Sequence, residues 1–360
     1  MKLSKYLLGD LIQQRREKNS FDGLPICGVT RDGFIPPKQQ DADTSLYNVF
    51  YKGDFVFNPA RMELNSIVFN DTYDKAICSS LYEVFYVKRT DIVVPEFLAL
   101  LVKQNWFTRY CEFLGSGSAR EYCRVANISE IEIELPPIEN QIEIAHQHKT
   151  LVERIALKKH INDNLEAAAQ AIYKKMFVDD VDSANLPDGW KIIALENVAG
   201  LSAGGDRPEV YSDYPTDICN VPIFSNGIDK EGLYGFTDKA KVFEESVTVS
   251  ARGTVGYVFL REKPYVPIVR LISVVPNPML ITAKYLLFAL SAIDLHSTGT
   301  SQQQITVPDF KKRLILVPDK QSLDTFMQRI TPLFNSIKDN KAEIESLLSL
   351  QANFLTLLSR

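Results

Sequence analysis

Apolar residues along this chain fall into two kinds of pattern, and the boundary between them recurs. After the Leu135-Pro136-Pro137 break the chain runs to Phe177 with neither glycine nor proline. Within that run Leu151, Ile155, Lys158, Asn162, Leu165, Ala169, Ile172 and Met176 follow alternating spacings of four and three, the seam of a coiled-coil helix. Such a seam needs a cover. The C-terminal stretch supplies one: Leu333, Ile337, Asn340, Ile344, Leu347, Gln351, Phe354 and Leu358 keep the same spacings, each 182 residues after its counterpart, and Pro318 stands 182 after Pro136. A repeat of that length is a whole module rather than a solenoid period. The pattern predicts globule, helix, globule, helix, with the two helices packed on each other.

The second pattern is short. Asn48 to Phe57, Ser66 to Phe69 and Leu81 to Lys88 are apolar or aromatic runs bounded by turn residues such as Lys52-Gly53-Asp54 and Asn70-Asp71, and they read as strands. After Pro95, the residues Phe97, Leu98, Leu100, Leu101, Trp106 and Phe107 form a run too long for a strand and predict one helix. A Gly115-Ser116-Gly117-Ser118 loop and Ala119-Arg120-Glu121-Tyr122 follow, and the alternation of Ile128, Ile131, Ile133 and Leu135 predicts a closing strand. The same order returns after the polar stretch Asp179 to Pro187. Lys191 to Leu195 matches the opening Tyr6 to Leu8; Glu245 to Ser250, Gly256 to Leu260 and Ile268 to Val275 read as strands; and Tyr285 to Leu290 predicts a helix. Next come Thr298-Gly299-Thr300-Ser301, Gln302 to Gln304, Ile305 to Phe310 and the strand Leu314 to Val317. The predicted organisation is α+β: a globule at 1–134, a long helix at 135–182, a globule at 183–316 and a long helix at 317–360, the globules alike and the helices an antiparallel coiled coil.

Composition narrows the function by exclusion. The five cysteines are scattered, with no Cys-x-x-Cys pair and only four histidines, so neither a zinc site nor a disulfide framework is expected. No run of about 18 apolar residues is present and Met1 to Asp10 does not resemble a leader, which predicts a soluble, cytoplasmic chain. Catalytic signatures are missing. There is no P-loop and no Gly-x-Ser-x-Gly elbow; Asn58-Pro59-Ala60-Arg61 only begins like the Asn-Pro-Pro-aromatic loop of adenine methyltransferases; and His146 and His148 do not share a helix face. The expectation is a chain that is not an enzyme and binds no metal or cofactor itself.

Two copies of one scaffold with different loops suit the reading of two short targets at a set separation. Candidate base contacts are Gln302, Gln303 and Gln304, whose amides can pair bidentately with adenine, and Arg120 and Arg124, which can do so with guanine. Ser116, Ser118, Thr300, the turn at Ser225-Asn226-Gly227 and the corner Arg252-Gly253-Thr254 are further candidates; each is equally a solvated loop or hairpin corner. Net charge is −5, and neither globule is basic: residues 1–135 hold 16 Lys+Arg against 18 Asp+Glu, and residues 186–316 hold 13 against 14. Phosphate contacts dominate affinity for DNA, so the chain alone is expected to bind it weakly, with a partner supplying much of the positive surface.

Leu135-Pro136-Pro137-Ile138-Glu139-Asn140-Gln141, Val221-Pro222-Ile223-Phe224-Ser225-Asn226-Gly227, and Gly299-Thr300-Ser301-Gln302 with Ile305, in that order around two long repeat helices, resemble the specificity subunits of type I restriction-modification enzymes. The resemblance covers the whole chain. It implies two target recognition domains, each reading half of a split site in double-stranded DNA, with the helix pair as a ruler. It also implies docking of two methyltransferase subunits, which carry S-adenosylmethionine, a motor-nuclease (restriction) subunit able to join them, and no membrane. The chain departs from the pattern where Gly115 to Arg120 replaces the glycine-threonine segment and where the second helix starts at Pro318-Asp319.

Rival readings are a non-catalytic protein-assembly scaffold and an enzyme using scattered acids such as Asp54 and Glu83. Polar seam residues fix register at a cost in stability, so replacing Lys158 or Asn340 by leucine is expected to stabilise the helix pair while permitting register errors.

Overall fold

The computed structural model describes residues 3–37, 43–115, 122–179, 181–182, 184–253, 255–293 and 304–358, apart from the side chains of residues 115, 357 and 358. The chain forms two compact units, and each takes a share of both long helices. The first comprises Met1–Lys159 with Lys341–Arg360, the second His160–Asn340.

In the first unit, a ribbon of Ser4–Leu7 against Glu132–Leu135 closes the globule where the first long helix begins. An antiparallel four-stranded sheet runs in the order Ile12–Arg15, Glu83–Val87, Asp54–Phe57, Ile67–Phe69. Every residue of Asp54–Phe57 is buried, as a strand covered on both faces must be. A second sheet runs Gly33–Ile35, Ile26–Thr30, Lys75–Cys78, Asn48–Tyr51, with its middle pair parallel. Phe55, Phe57 and Phe85 of the first sheet pack against Phe97 and Phe107 from two helices, Pro95–Val102 and Asn105–Gly115. The apolar run after Pro95 is therefore two helices where one was expected. The first ends at Lys103, whose ammonium is drawn onto the carbonyls of Arg31 and Ile67 at 2.6 Å each. Ile128 likewise ends a short helix, Val125–Ile128, and lies outside the closing strand.

The second unit repeats this topology, except that its second sheet lacks a counterpart of the edge strand Asn48–Tyr51. Its ribbon pairs Lys191–Ala194 with Leu314–Val317. Its four-stranded sheet runs Ala199–Ala203, Ile272–Pro276, Ser246–Val249, Val258–Arg261, all antiparallel. Its second sheet runs Leu233–Thr237, Val221–Phe224, Val266–Pro267, again with one antiparallel and one parallel pair. The helix Ala283–Ser291 stands where Pro95–Val102 stands in the first unit, with Thr282 capping it by accepting from the Tyr285 N–H. One expected strand, Ile268 to Val275, is strand only from Ile272: Ile272–Pro276 lies in the four-stranded sheet, and Val266–Pro267 just before the expected run joins the other sheet. Between them Val269 and Arg270 adopt positive φ of 52° and 65°, which reverses the chain.

The long helices are Ile138–Phe177 and Lys320–Leu358. From Leu151 to Met176 the eight expected seam positions are buried or half-buried, and the residues between them are exposed, save that Tyr173 is buried. In the second unit, Ala169, Tyr173 and Phe177 join Phe326 and Ile330 in the main core beside Tyr285 and Phe288. Asn340 donates from Nδ2 to Asn162 Oδ1 at 2.8 Å, with both residues buried. In the first unit, Glu343 is bridged by Arg154 and by Lys158 at 2.8 Å, and His148 faces Gln351 and Phe354. Partners fall in number along one helix as they rise along the other, so the helices are antiparallel. Leu333, Ile344, Leu347 and Phe354 are half-buried and Ile337 is buried; the side chain of Leu358 lies outside the described residues. The Asn162 bond reverses the expectation for a single Asn340→Leu change, because it would strand a buried amide.

The two helix starts are secured differently. Gln141 is fully buried: its Oε1 accepts from the Val94 N–H, and its Nε2 donates to the carbonyls of Ile92 and Pro136. At the second start Asp319 is the cap, accepting from the N–H groups of Gln321 and Ser322, the Ser322 hydroxyl and the Trp190 indole.

Candidate nucleic-acid interface

The second unit gathers five separate segments at one place. Asn226, in the turn after Val221–Phe224, accepts on Oδ1 from the Ala251 N–H at 2.8 Å and donates from Nδ2 to the Val269 carbonyl at 2.6 Å. Ile305 N donates to the Ala251 carbonyl at 3.0 Å, which sets Gln304 beside the same corner. Val269 N and Arg270 N donate to the carbonyls of Gly205 and Gly204. Space is tight here: a Cβ on Gly204 would lie 2.7 Å from the main chain of Pro267 and Ile268. Ser225 is held by its N–H to the Gly232 carbonyl, and Gly232, at φ +82°, has the Ser225 carbonyl only 2.5 Å from where a Cβ would stand.

This framework presents Arg252, Arg270 and Gln304 as exposed side chains. Neither arginine makes an ion pair among the described residues. Beneath them the buried Arg261 donates to Thr248 Oγ1 at 2.9 Å and to the Glu231 carbonyl at 2.6 Å, and lies 3.6 Å from the Phe224 ring centroid. Burial lowers its pKa to about 10, a shift the nearby Glu231 carboxylate opposes.

Of the candidates from the sequence, the structure thus brings together Ser225, Asn226, Arg252 and Gln304. Asn226 has both ends of its amide engaged with main-chain groups and acts as a clamp between loops. Arg124 belongs to the first unit; it pairs with Glu83 at 3.2 Å while its side chain stays 62% exposed. Ser116, Ser118, Arg120, Thr254, Thr300, Gln302 and Gln303 lie outside the described residues. Sequence reasoning missed Arg270. It sits inside a run that reads as strand, and a valine at positive φ beside it carries no signal in the sequence.

Among the described residues no cluster of three or more histidine, cysteine or carboxylate side chains is placed to hold a metal, and no helix is long and apolar enough to cross a membrane.

The model of the type I restriction modification DNA specificity domain matches residues 35–167 and again 187–348, most of the chain and once per globule. The chain belongs to that family. A putative type I specificity subunit of Mycoplasma pneumoniae is 30% identical over 256 residues, 68% of this chain and 74% of that one. A second from the same organism is 29% identical over 210 residues, 58% of this chain and 56% of that one, so the match spans little more than half of that relative. The crystal structure of a type I restriction-modification S subunit from M. genitalium shares the fold at a TM-score of 0.67 with 15% identity, covering 99% of this chain and 96% of that one. By that match it is a type I DNA specificity protein, carrying the domain twice.

Proposed function

We propose that this specificity subunit reads a split site in double-stranded DNA, one half with each globule, and positions two adenine methyltransferase subunits, which carry the S-adenosylmethionine, over the two halves. A motor-nuclease subunit joins the same complex, which works in the cytoplasm. The observation that carries this reading is the repeat itself: one topology built twice, with unlike side chains on equivalent loops, on two helices that run through both units. At about 1.5 Å per residue, a helix of about 40 residues is long enough to act as a ruler between grooves roughly one DNA turn apart. The domain boundaries follow, with recognition domains at 1–134 and 183–316 and the helices at 135–182 and 317–360.

In the second globule the reading surface is the corner that presents Arg252, Arg270 and Gln304, and Thr254, Thr300, Gln302 and Gln303 serve the same reading. Arg124, Ser116, Ser118 and Arg120 serve the first. Arginine forks suit guanine edges and phosphates, and glutamine amides suit adenine. Ser225 and Asn226 hold the corner in shape. The seam residues from Leu151 to Met176 and from Leu333 to Leu358 set the register, Lys158 and Asn340 among them.

The test is a map of methylated adenines in a host lacking this modification, with the chain expressed beside its methyltransferase. A two-part motif with a fixed gap is expected, and exchanging residues 183–316 should change one half alone. A stable complex that leaves DNA unmodified would move the assignment to a protein-assembly scaffold.

A further inference from the structure

A cavity of about 430 Å³ opens in the first unit, away from every candidate contact named above. Three elements build it: the turn after Ile26–Thr30, the short 3-10 helix Pro59–Leu64 with the residues after it, and the junction between the helices Pro95–Val102 and Asn105–Gly115. Each brings a cation, Arg31, Arg61 and Lys103 respectively, and none of the three makes an ion pair among the described residues. Asp32 and Glu63 also line it and are exposed, leaving three positive groups against two negative.

Lys103 is the fixed member. Its ammonium donates to the carbonyls of Arg31 and Ile67, which leaves its third N–H without an assigned acceptor. Asn105 and Thr108, from the first turn of an 11-residue helix, line the same wall, so the positive end of that helix dipole adds to the field. Asn65 completes the wall. It is only 5% exposed, held at φ 52° by donating to the Val102 carbonyl and the Thr108 hydroxyl, yet its buried Oδ1 receives no hydrogen bond. Three cations from separate elements, with no ion pair among the described residues, mark a wall that the protein's own groups leave open to an anion; the Asn65 acceptor plays no part in that.

We propose that this cavity takes a phosphate group, held by Arg31, Arg61 and Lys103. A carboxylate offers its two oxygens in one plane, whereas the three cations stand on three separate elements. A tetrahedral oxyanion accepts from several directions at once, and arginine forks match it. The phosphate comes from the DNA backbone or from a free phosphate compound. The first source rests on the DNA-reading function proposed above; the second does not.

Burial, with Arg31 adding to it, holds the Lys103 ammonium down to about 8, Asp32 opposing. An arriving anion raises it again, so binding takes up a proton near pH 8 and weakens as pH rises further. Arg31, Asp32, Arg61 and Glu63 are the charged groups facing it.

The experiment compares the full chain with the Arg31→Gln/Arg61→Gln variant, both exposed positions, and with Lys103→Met. Calorimetry with pyrophosphate at constant ionic strength is the first arm. Salt dependence of duplex binding by the chain assembled with its methyltransferase is the second. Pyrophosphate binding that falls at least tenfold in the double variant, with proton uptake absent in Lys103→Met, assigns a free phosphate compound. A duplex salt slope lowered by about two in the double variant, with site preference kept, assigns the DNA backbone. Wild-type and variants alike in both arms overturn the proposal. A wild-type assembly that ignores DNA sequence would count against the DNA-reading function instead, and the pyrophosphate arm would still decide the cavity.

Discussion

Each globule carries a buried or half-buried arginine on an edge strand of its four-stranded sheet, and the two are partnered in opposite ways. In the first unit Arg15 forks onto Asp54 at 2.6 and 3.0 Å, between the rings of Tyr51 and Tyr86 at 4.8 Å each, and Asp54 also accepts from the Tyr51 N–H. That bond holds the Arg15 pKa up. In the second unit Arg261, on the far edge of the equivalent sheet, has mainly neutral partners, and the Glu231 carboxylate stands off at 3.5 Å with 44% of its side chain exposed. The lesson is that strand order and pairing define this scaffold, whereas its interior charges can be placed anew in each copy. The same holds where the long helices begin: a fully buried glutamine secures one and a half-buried aspartate cap the other.

The largest effect should come from the charged pair. Asp54→Ala leaves Arg15 without its counter-charge and should cost about 3 kcal/mol, the low end for a broken buried pair because Arg15 keeps 25% exposure and can turn to water. Arg261→Met removes a buried cation and leaves only neutral partners, the Thr248 hydroxyl and the Glu231 carbonyl, without their donor, and should cost about half as much. Urea unfolding of both variants measures the contrast, and equal losses would erase it. At the helix starts, Gln141→Leu should cost about 2–3 kcal/mol, since three main-chain groups lose a partner in a buried site. Asn340→Leu should cost about 2 kcal/mol by stranding Asn162, and a matching Asn162→Leu change should restore most of it. A double variant that melts no higher than the single one would count against the pair as a unit.

Asp319→Ala should have the smallest effect, about 1 kcal/mol for a lost helix cap. It is also the one with a pH signature. Its hydrogen bonds, that from Ser322 first, hold the Asp319 carboxyl down to about 2, against an ordinary 3.8. The folded state thus favours the ionised form: the stabilisation is complete above about pH 4 and disappears as pH falls through about 2. Thermal melts of wild-type and Asp319→Ala should therefore draw together as pH falls from about 4 and converge only below about pH 2, whereas Gln141→Leu should keep its deficit at every pH.

Much of this architecture could be read directly from residue spacing. The seam from Leu151 to Met176 is buried where its alternation places it, because a helix turns by a constant angle and a 4-3 spacing can face only one side. The repeat at 182 residues foretold two like globules, and the strands near Asn48 to Phe57 and Leu81 to Lys88 lie where alternation and turn residues put them. Candidate loops were less legible. Ser225, Asn226, Arg252 and Gln304 could be named as polar turn residues, but nothing local says that three chain segments meet, or that Asn226 clamps them.

Periodicity is a local property, so it settled which residues form helices, which face of each is apolar, and that the chain is built twice. Long-range pairing settled the rest. The reversal at Val269 and Arg270 exists because Val266–Pro267 and Ile272–Pro276 are claimed by different sheets, and hydrogen bonds to Gly204 and Gly205 hold two residues where their own preferences would not put them. The cavity around Lys103 needs three elements far apart in the chain to converge. No spacing along a sequence encodes such a meeting, because it depends on the energy of the whole packed unit.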